Sequence, residues 1–334
     1  MQSLDVYSLG NALVDVEYEV TPQELERLGI DKGVMTLVEE ERHDFLLGNL
    51  HGKSHNRASG GSAANSIIAL AQLGGTAFYT GRVADDEAGA FYRHDLEQAG
   101  VLTNIDGTGN SGAANAKTGK CLVMITPDAD RTMNTYLGIS SELNAGDIDR
   151  EALAAANYLY LEGYLVSSAP ALDAILTAKR LARENATRVA FTLSDPNMVR
   201  FFREGLLQVL DGGVDLLFCN RDEALEFTGQ SKLDDALADL AAFADQVVIT
   251  LGAEGALYRN GDARVQIEPV TVRAVDTNGA GDMFAGAILY GLTQGMSIED
   301  SGRLASLASA RLVEHFGPRL DQDAMDRVKQ EFAA

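Results

Sequence analysis

Residues 275–287 read VDTNGAGDMFAGA, and the rest of the chain can be interpreted outward from this stretch. Gly279 and Gly281 allow positive φ angles and a close approach of the backbone to another group. From Asp282 onward the residues are apolar on nearly all sides, which predicts a buried helix that begins at the glycines and ends near Gly295. The free N–H groups at such a helix start form a natural site for an anion.

A carboxylate at this point would repel a phosphate, so the presence of Asp282 needs an explanation. One interpretation is that Asp282 caps the helix, which is the common role of an Asp at a helix start. The other is that Asp282 removes a proton from a hydroxyl, while the N–H groups of Gly279, Ala280 and Gly281 neutralise the charge on a phosphoryl group in transfer. The stretch alone leaves both interpretations open.

The same stretch resembles the C-terminal signature of the PfkB (ribokinase-like) family of sugar and nucleoside kinases, D-T-x-G-A-G-D. Residues 276–282 match this signature almost letter for letter. The resemblance implies that Asp282 is the catalytic base and that the amides of Gly279, Ala280 and Gly281 form the anion hole.

Further motifs follow in the family's order, so the resemblance covers essentially the whole chain. It implies an α/β protein with a ribokinase-like three-layer α/β/α sandwich, a mostly parallel central sheet and a small β-sheet lid. It also implies one large kinase domain over residues 1–334, whose lid is formed by segments 15–20, 33–38 and 112–137. From residue 157 onward strands and helices alternate along the sequence, which independently predicts a parallel sheet covered on both faces.

Composition limits the classes of function. The chain has 334 residues, 46% of them apolar, and a net charge of −22, which argues against polymeric nucleic acid as a partner. No apolar run is long enough to span a bilayer and no signal peptide opens the chain, so we expect no membrane association. Cys121 and Cys219 lie far apart inside apolar runs, which indicates a reduced, cytoplasmic setting without a disulfide framework.

The acceptor side of the predicted site begins after the first strand, residues 4–9. No G-x-G-x-x-G turn follows this strand, which disfavours a nicotinamide-dependent oxidoreductase. Residues 10–15 instead resemble the G-N-x-L-x-D of adenosine kinases, in which the Asp holds the ribose hydroxyls. Without the resemblance, Asn11 and Asp15 would be interpreted as a turn residue and a surface carboxylate. The resemblance implies that the acceptor is bound by Asn11, Leu13, Asp15, Gly60, Gly61, Asn65 and Tyr164.

A β-hairpin is predicted over residues 120–136. Residues 120–126 and 131–136 both show the alternating side-chain pattern of a strand, and the turn residues 127–130 lie between them. With the strands predicted at 16–20 and 34–38, this hairpin would form the lid sheet. Arg131 falls where adenosine kinases keep an Arg that contacts phosphate, and the resemblance therefore places it among the catalytic residues. As an isolated residue, Arg131 would more often be a solvated strand charge.

The nucleotide side is predicted at the ends of two later strands. Asn220 and Glu223 have the spacing of a capping box, and the resemblance implies that this pair also organises Mg²⁺ through water. Residues 250–255 resemble the family's T-x-G-x-x-G, which implies nucleotide contacts by Asn220, Thr250, Gly252 and Gly255. ATP and Mg²⁺ are therefore the implied cofactors. Residues 314–318 depart from the ribokinase form, which argues against a required monovalent cation.

Together these features predict an ATP-dependent phosphotransferase that moves the γ-phosphate of MgATP to a primary hydroxyl. The expected acceptor is a nucleoside or a related sugar. Adenosine, phosphorylated at its 5′-hydroxyl, is the first candidate, and this reaction would suit a role in purine salvage. A ribokinase- or fructokinase-type sugar kinase and a non-catalytic nucleotide-binding sensor remain as alternatives. The sensor is disfavoured because Asp282 would weaken the binding of an anion. The expected binding partners are small molecules only, and the protein is expected to be a monomer or a homodimer.

Overall fold

The computed structural model describes residues 3–50, 54–105, 116–128 and 130–334. Within these ranges the strands are β1 Leu4–Leu9, β2 Leu13–Glu19, β3 Met35–Leu37, β4 Ser54–Gly60, β5 Ala77–Thr80, β6 Leu102–Thr103, β7 Thr118–Ile125, β8 Arg131–Gly138, β9 Ala156–Glu162, β10 Arg188–Thr192, β11 Val214–Asn220, β12 Ala244–Thr250, β13 Ala256–Asn260 and β14 Ala263–Ile267. The α-helices are α1 Pro22–Leu28, α2 Glu40–Asn49, α3 Ser62–Leu73, α4 Glu87–Gln98, α5 Arg150–Ala154, α6 Ala169–Glu184, α7 Pro196–Phe201, α8 Arg203–Leu210, α9 Arg221–Thr228, α10 Leu233–Leu240, α11 Ala280–Thr293, α12 Ile298–Val313 and α13 Gln322–Ala333. None of these helices combines the length and apolar character needed to cross a membrane.

A large sheet forms the centre of the molecule, with strand order β14-β13-β12-β11-β10-β9-β1-β5-β6. Its strands run parallel from β12 to β6, and β13 and β14 are added antiparallel at one edge. Such a sheet must be buried on both faces, because the helical crossovers between parallel strands cover both.

The side chains of β9 alternate between the two hydrophobic cores on opposite faces of the central sheet. Tyr158 and Tyr160 pack into one core with α3, α11 and α12, while Leu159 and Leu161 pack into a second core with α6, α8 and α9. Side chains on a strand point alternately to opposite faces, so a strand that is apolar throughout supplies both cores. The three-layer α/β/α architecture predicted from the sequence is confirmed.

A smaller second sheet has the order β3-β8-β7-β2-β4. One face packs against α1 and α2 through a cluster that includes Tyr18, Leu25, Leu46 and Met124. The opposite face carries Leu13 and Cys121 and looks toward the carboxyl ends of the central strands. The small sheet therefore covers the edge of the large sheet at which α/β proteins usually bind ligands.

The structure corrects three details of the sequence interpretation. β2 begins at Leu13, two residues before the predicted segment 15–20. The sequence pattern predicts a helix over residues 233–244, but this helix ends at Leu240, because Ala244 already pairs in β12. The sequence around His51 and His55 is a poor helix former and indicates a solvated loop, but β4 begins at Ser54; its sequence SHNRASG has no apolar alternation that would mark it as a strand. Residues 112–115 of the predicted lid segment, Ala129 in its turn, and His51 lie outside the described residues.

Candidate active site

The carboxyl ends of the parallel strands and the inner face of the small sheet enclose a cavity of about 800 Å³. Residues that follow different strands meet here, because parallel strands end at the same edge of the sheet. Strand ends or the residues just after them contribute Asn11, Glu162, Ser194, Asn220 and Thr250. Every site residue predicted from the sequence except Gly60 lines this cavity: Asn11, Leu13, Asp15, Gly61, Asn65, Arg131, Tyr164, Asn220, Glu223, Thr250, Gly252, Gly255, Gly279, Ala280, Gly281 and Asp282.

The helix predicted after the glycines is α11, and Gly279 occupies its N-cap in the left-handed conformation, with φ of 74°. A Cβ at Gly279 would lie 2.2 Å from the carbonyl oxygen of Pro318, so a side chain fits neither the backbone conformation nor the space. At Gly281, in contrast, a Cβ would meet no described atom within 4 Å. The first N–H groups of α11 therefore adjoin the cavity, at the positive end of the helix dipole.

Asp282 does not cap its own helix. One carboxylate oxygen accepts a hydrogen bond from Ser62 Oγ at 2.6 Å, and the other accepts from Asn65 Nδ2 at 3.0 Å. Both donors lie in the first turns of α3, so the N-terminal ends of α3 and α11 meet at this carboxylate. Burial raises the pKa of Asp282, while Ser62, Asn65 and the charge of Arg131 act in the opposite direction.

Arg131 joins the small sheet to the loop that precedes α11. Its Nη1 donates to both the carbonyl oxygen and Oγ1 of Thr277, each at 3.3 Å. Its positive charge also lowers the pKa values of Glu223 and Asp282, although burial dominates and raises both. Arg131 is therefore part of the cavity wall and supplies a positive charge near the buried carboxylates of Glu223 and Asp282.

Asp15 and Gly60 are diagonal neighbours across the β2–β4 pair, in which Asp15 pairs with Ala58 and Gly60 with Leu13. Asp15 is buried, and desolvation raises its pKa to about 8, with the nearby Glu17 adding to the rise. A Cβ on Gly60 would lie 2.1 Å from the Asp15 carboxyl group. Gly60 was predicted to contact the acceptor; it is not among the residues that line the cavity, and its missing side chain makes room for Asp15.

Glu162, at the end of β9, is a site residue that the sequence interpretation missed. It is fully buried and accepts hydrogen bonds from the backbone N–H groups of Asn11 at 2.8 Å and Ala63 at 2.7 Å. Burial raises its pKa to about 7, and the two N–H donors oppose that rise. Glu162 thereby ties the turn after β1 to the start of α3. A carboxylate directly after the predicted strand 158–161 was the available signal.

Gly61 and Asn65 are positioned by the same turn. Gly61 is the N-cap of α3 with φ of 97°, and a Cβ there would lie 2.1 Å from the carbonyl oxygen of Asn11. Asn65 therefore stands one turn into a helix whose start is packed directly against the turn after β1. Asn11, Gly61 and Asn65, which the sequence interpretation grouped together, all line the cavity.

Apolar side chains also line the cavity. They include Leu13, Met35 and Tyr164, which the resemblance makes candidates for walls around a base. The hydroxyl of Tyr164 donates to the carbonyl oxygen of Ser194 at 3.3 Å, which orients the ring. Strands β3 and β8 of the small sheet add wall residues that the sequence did not indicate: Leu37, Met133 and Leu137.

Asn220 and Glu223 form the predicted capping box at the start of α9. The Glu223 N–H donates to Asn220 Oδ1 at 2.8 Å, and the Asn220 N–H donates to Glu223 Oε2 at 3.0 Å. Glu223 is buried, and desolvation raises its pKa to about 8. The capping interpretation is thus satisfied by the geometry, and the same carboxylate still faces the cavity.

The turn after β12 is shaped by its two glycines. Gly252 has φ of 60°, and a Cβ there would meet no described atom within 4 Å, so its backbone is open to a ligand. Gly255 has φ of 85°, and a Cβ there would lie 2.1 Å from the carbonyl oxygen of Ile267. The cavity beyond this turn is lined by the small and apolar residues Val270, Val272, Ala274, Ala310 and Val313.

Comparisons with known proteins agree with this geometry. The family model described as "pfkB family carbohydrate kinase" matches residues 30–325. Two crystal structures, of a probable sugar kinase protein from Rhizobium etli CFN 42 and of adenosine kinase from Sinorhizobium meliloti, are each 36% identical with a TM-score of 0.93. The first covers 99% of both chains, and the second covers 98% of this chain and 99% of its own.

A curated relative, adenosine kinase from Saccharomyces cerevisiae, is 28% identical over 342 residues, which are 96% of this chain and 98% of the relative. The similarity therefore extends over nearly all of this chain and nearly all of the relative, and the residues matched by the family model include the signature at α11. The family and the enzyme class predicted from the sequence are confirmed: the chain belongs to the pfkB family of carbohydrate kinases.

Proposed function

We propose that this kinase transfers the γ-phosphoryl group of MgATP to the 5′-hydroxyl of a nucleoside, with adenosine as the first candidate. The observation that carries the proposal is the placement of Asp282. Its carboxylate lies where the starts of α3 and α11 meet, in one cavity with Asp15, which we assign to the acceptor, and with Thr250 and Gly252, which we assign to the nucleotide.

In the proposed reaction the acceptor hydroxyl oxygen forms a bond to the γ-phosphorus. The bond from that phosphorus to the β,γ-bridging oxygen breaks, ADP leaves, and the hydroxyl proton passes to Asp282. The N–H groups at the start of α11 stabilise charge on the transferring group, and Arg131 supplies a nearby cation. The protein contributes positioning and electrostatics, with no covalent intermediate.

The acceptor end favours a nucleoside over a free sugar. Asp15 can accept hydrogen bonds from paired 2′- and 3′-hydroxyls, and Asn11 and Asn65 add amide groups around them. The apolar wall that includes Met35 and Tyr164 suits a flat base, whereas a free sugar would leave polar groups against it. The relative from Sinorhizobium meliloti supports this acceptor by name, and that from Rhizobium etli keeps a sugar kinase as the second candidate.

Mg²⁺ fits the nucleotide end as an ion held mainly by phosphates and water. Among the described residues, no group of three or more His, Cys, Asp and Glu side chains is arranged to hold a metal. Glu223 and Asn220 face the cavity beside the nucleotide turn, and a hard cation that keeps several waters needs few direct protein ligands. When bound, Mg²⁺ would neutralise charge on the phosphates.

The Glu223→Gln variant should raise the Mg²⁺ concentration needed for half-maximal rate several-fold, because an amide orders metal-bound water less strongly than a carboxylate. A change in helix capping alone would cost about 0.5–2 kcal/mol of stability and leave the metal dependence as it was. Mg²⁺ titrations of rate, together with melting curves, separate the two effects. An unchanged Mg²⁺ midpoint with a lower Tm would assign Glu223 to capping only.

We propose that the small sheet acts as the lid, closing over the acceptor so that the phosphoryl group is not transferred to water. Its inner face supplies Leu13, Asp15 and Met133 to the cavity, and Arg131 links it to Thr277. A lid built from strands around 15–20, 33–38 and 112–137 within one domain is consistent with these contacts.

The Gly60→Ala variant should raise the acceptor KM about tenfold, roughly 1.4 kcal/mol, with a smaller effect on the KM for ATP. The added methyl group would displace the Asp15 carboxyl, which lies 2.1 Å from the position of that Cβ. Gly48→Ala is the matched control, because a Cβ at Gly48 would meet no described atom within 4 Å. Equal acceptor KM values for both variants would contradict the role given to Gly60.

One experiment tests the proposed acceptor directly. ADP release should be measured at saturating MgATP with adenosine, other nucleosides, ribose and fructose, and the phosphorylated product identified by mass spectrometry. We expect the highest kcat/KM with adenosine. A faster reaction with a free sugar would favour the sugar kinase, and nucleotide binding without any phosphorylated product would favour a sensor.

We further propose a cytoplasmic protein that acts as a monomer or homodimer without a required monovalent cation. Cys121 and Cys219 are buried free thiols, which suits a reducing compartment. The outer face of the small sheet is covered by α1 and α2, so a dimer would have to use another surface. Sedimentation and a comparison of rates in Na⁺, K⁺ and tetramethylammonium buffers test these points.

A further inference from the structure

Helices α3 and α11 approach one another most closely at a glycine, Gly286, in the second turn of α11. A Cβ on Gly286 would lie 2.1 Å from the carbonyl oxygen of Ser66 and 3.0 Å from the Cβ of Ala69, both on α3. A side chain of any size is therefore excluded at Gly286, and the backbones of the two helices lie directly against each other there. The absence of this one side chain sets the spacing between α3 and α11.

This backbone contact is in register with the hydrogen bond that holds Asp282. Ser66 follows Ser62 by four residues on α3, and Gly286 follows Asp282 by four residues on α11. Residues four apart lie on the same side of an α-helix, about 6 Å apart along its axis. The contact between Gly286 and Ser66 therefore lies about one turn from the hydrogen bond that Ser62 Oγ donates to Asp282 at 2.6 Å.

The start of α3 is also fixed to the central sheet, so it cannot simply follow a displaced α11. Ser66 Oγ is placed to donate to the carbonyl oxygen of Ser62 at 3.1 Å and to the hydroxyl oxygen of Tyr160 at 3.3 Å. Tyr160 is buried on β9, where its ring packs into the same core as α3 and α11. A shift of α11 away from α3 would therefore separate Ser62 from Asp282.

The two hydrogen bonds to the Asp282 carboxylate orient it and still leave it able to accept a proton. Ser62 donates to one oxygen at 2.6 Å and Asn65 to the other at 3.0 Å, so each oxygen has one donor. An ionised carboxylate has about four acceptor positions, which leaves about two for a hydroxyl group of the acceptor. A general base must lie within about 2.6–3.2 Å of the group whose proton it removes, so its orientation limits the rate.

We propose that Ser62 and Gly286 are positioning residues for the general base. Gly286 lets α11 lie directly on α3, and this spacing allows Ser62 to hold the Asp282 carboxylate in the orientation that receives the proton of the acceptor hydroxyl. Neither residue takes part in the transfer itself. The inference rests on the proposed function, since it takes Asp282 as the base.

The hydrogen bond from Ser62 also gives the pH dependence a definite sign. Burial raises the pKa of Asp282, and the hydrogen bonds from Ser62 and Asn65 oppose that rise, so loss of the Ser62 hydroxyl should raise this pKa further. A base acts in its ionised form, and the rate therefore falls as the pH falls through its pKa. The other titratable and charged groups around Asp282 line the same cavity and are unchanged by a substitution at Ser62: Arg131 on β8, Asp15 on β2, Tyr160 and Glu162 on β9, and Tyr164 just after β9.

The first test is the Ser62→Ala variant, with kcat for adenosine measured across pH at saturating MgATP. We expect kcat to fall about tenfold, the acid limb of its pH profile to move to higher pH, and both KM values to change little. Ser62→Thr should recover much of the loss because it keeps the hydroxyl. Ser231→Ala is the matched control, since Ser231 is exposed and outside the cavity. A raised acceptor KM with wild-type kcat and acid limb would overturn the proposal and make Ser62 an acceptor contact.

The second test is the Gly286→Ala variant. Ordinary contact begins at 3.4 Å, so a Cβ that would lie 2.1 Å from Ser66 must push the helices apart. A displacement of about 1 Å can cost about 10²-fold in kcat. Gly48→Ala is the matched control, because a Cβ at Gly48 would meet no described atom within 4 Å.

The Ser62→Ala/Gly286→Ala double variant separates positioning from a general loss of stability. If Gly286 acts through the contact between Ser62 and Asp282, the double variant should be no slower than Gly286→Ala alone, because that contact is already lost. Losses in kcat that multiply would show two independent effects and overturn the proposal. Ser62→Ala removes one oxygen atom and leaves the helix contact intact, so it tests the positioning of Asp282 even if Gly286→Ala does not fold.

A measurement that does not depend on activity separates this inference from the proposed function. Carbon-13 NMR of the Asp carboxyl groups, with the Asp282 signal assigned by its absence in Asp282→Asn, follows the titration of Asp282 directly. We expect a higher midpoint in Ser62→Ala than in the wild type and in Ser62→Thr. An unchanged midpoint would reject the role of Ser62, whereas a raised midpoint in a protein that phosphorylates sugars and no nucleoside would support that role and reject only the proposed acceptor.

Discussion

The Asp282→Asn variant should lose about 10²- to 10⁴-fold in kcat, the usual contribution of a general base, and more if positioning fails as well. ATP should bind to it as tightly as to the wild type or slightly more tightly. The reason is that Asp282 lies at the start of α11, where its charge opposes the binding of a phosphate that the helix N–H groups favour. The variant should therefore show a much lower kcat without a loss of ATP affinity.

This substitution is also one that the local structure can accommodate. Asn keeps one oxygen that can accept from Ser62, now 2.6 Å from the carboxylate. Asn65 Oδ1 is buried without a partner among the described residues, so a rotated Asn65 amide could accept from the new NH₂ group. We therefore expect the variant to fold, with a Tm close to that of the wild type.

The measurement combines single-turnover rates at saturating MgATP and acceptor with calorimetric titration of ATP. Asp173→Asn is the matched control, because Asp173 is exposed on α6 and the change removes the same charge. Near-normal kcat in Asp282→Asn would remove Asp282 from the mechanism. A proportional loss of ATP affinity would instead indicate that the substitution had damaged the anion site as a whole.

The fold was largely predictable because its signals are local. Strands such as β9 and β11 are continuous apolar runs between helices, and the glycines at Gly279 and Gly61 mark helix starts that pack against other backbone. β4 was not predictable in this way, since its polar sequence pairs only with β2 at the edge of the small sheet. Its place is decided by a neighbour 40 residues earlier in the chain and not by its own pattern.

In the site, too, features with a local sequence signal could be predicted, and features decided by distant residues could not. The signature predicted that Asp282 faces the cavity, but whether it caps α11 is decided by Ser62 and Asn65, more than 200 residues away in sequence. Gly60 is a different case: the sequence pattern indicated a glycine beside the site, but only the fold shows that its missing side chain leaves space for the Asp15 carboxyl group.

The Asp15→Ala variant should reduce kcat/KM for adenosine by about 10²-fold or more. The buried carboxylate is the group placed to accept from both ribose hydroxyls, and without it those hydroxyls lose water and gain no partner. The apolar wall that includes Leu13, Met35 and Tyr164 would remain, so the base could still bind. The reduction in kcat/KM should therefore come from weaker binding of the ribose hydroxyls and not of the base.

A comparison of adenosine with 2′-deoxyadenosine makes this prediction sharper. The wild type should prefer adenosine, because one hydroxyl of the pair is missing from the deoxynucleoside, and Asp15→Ala should nearly abolish that preference. Asp173→Ala is the matched control for the loss of an Asp side chain outside the cavity. A variant that keeps the wild-type preference would show that the paired hydroxyls are held by other groups. Faster phosphorylation of a free pentose or hexose than of any nucleoside would reject the acceptor, while Asp282 and the anion site would keep their proposed roles in a sugar kinase.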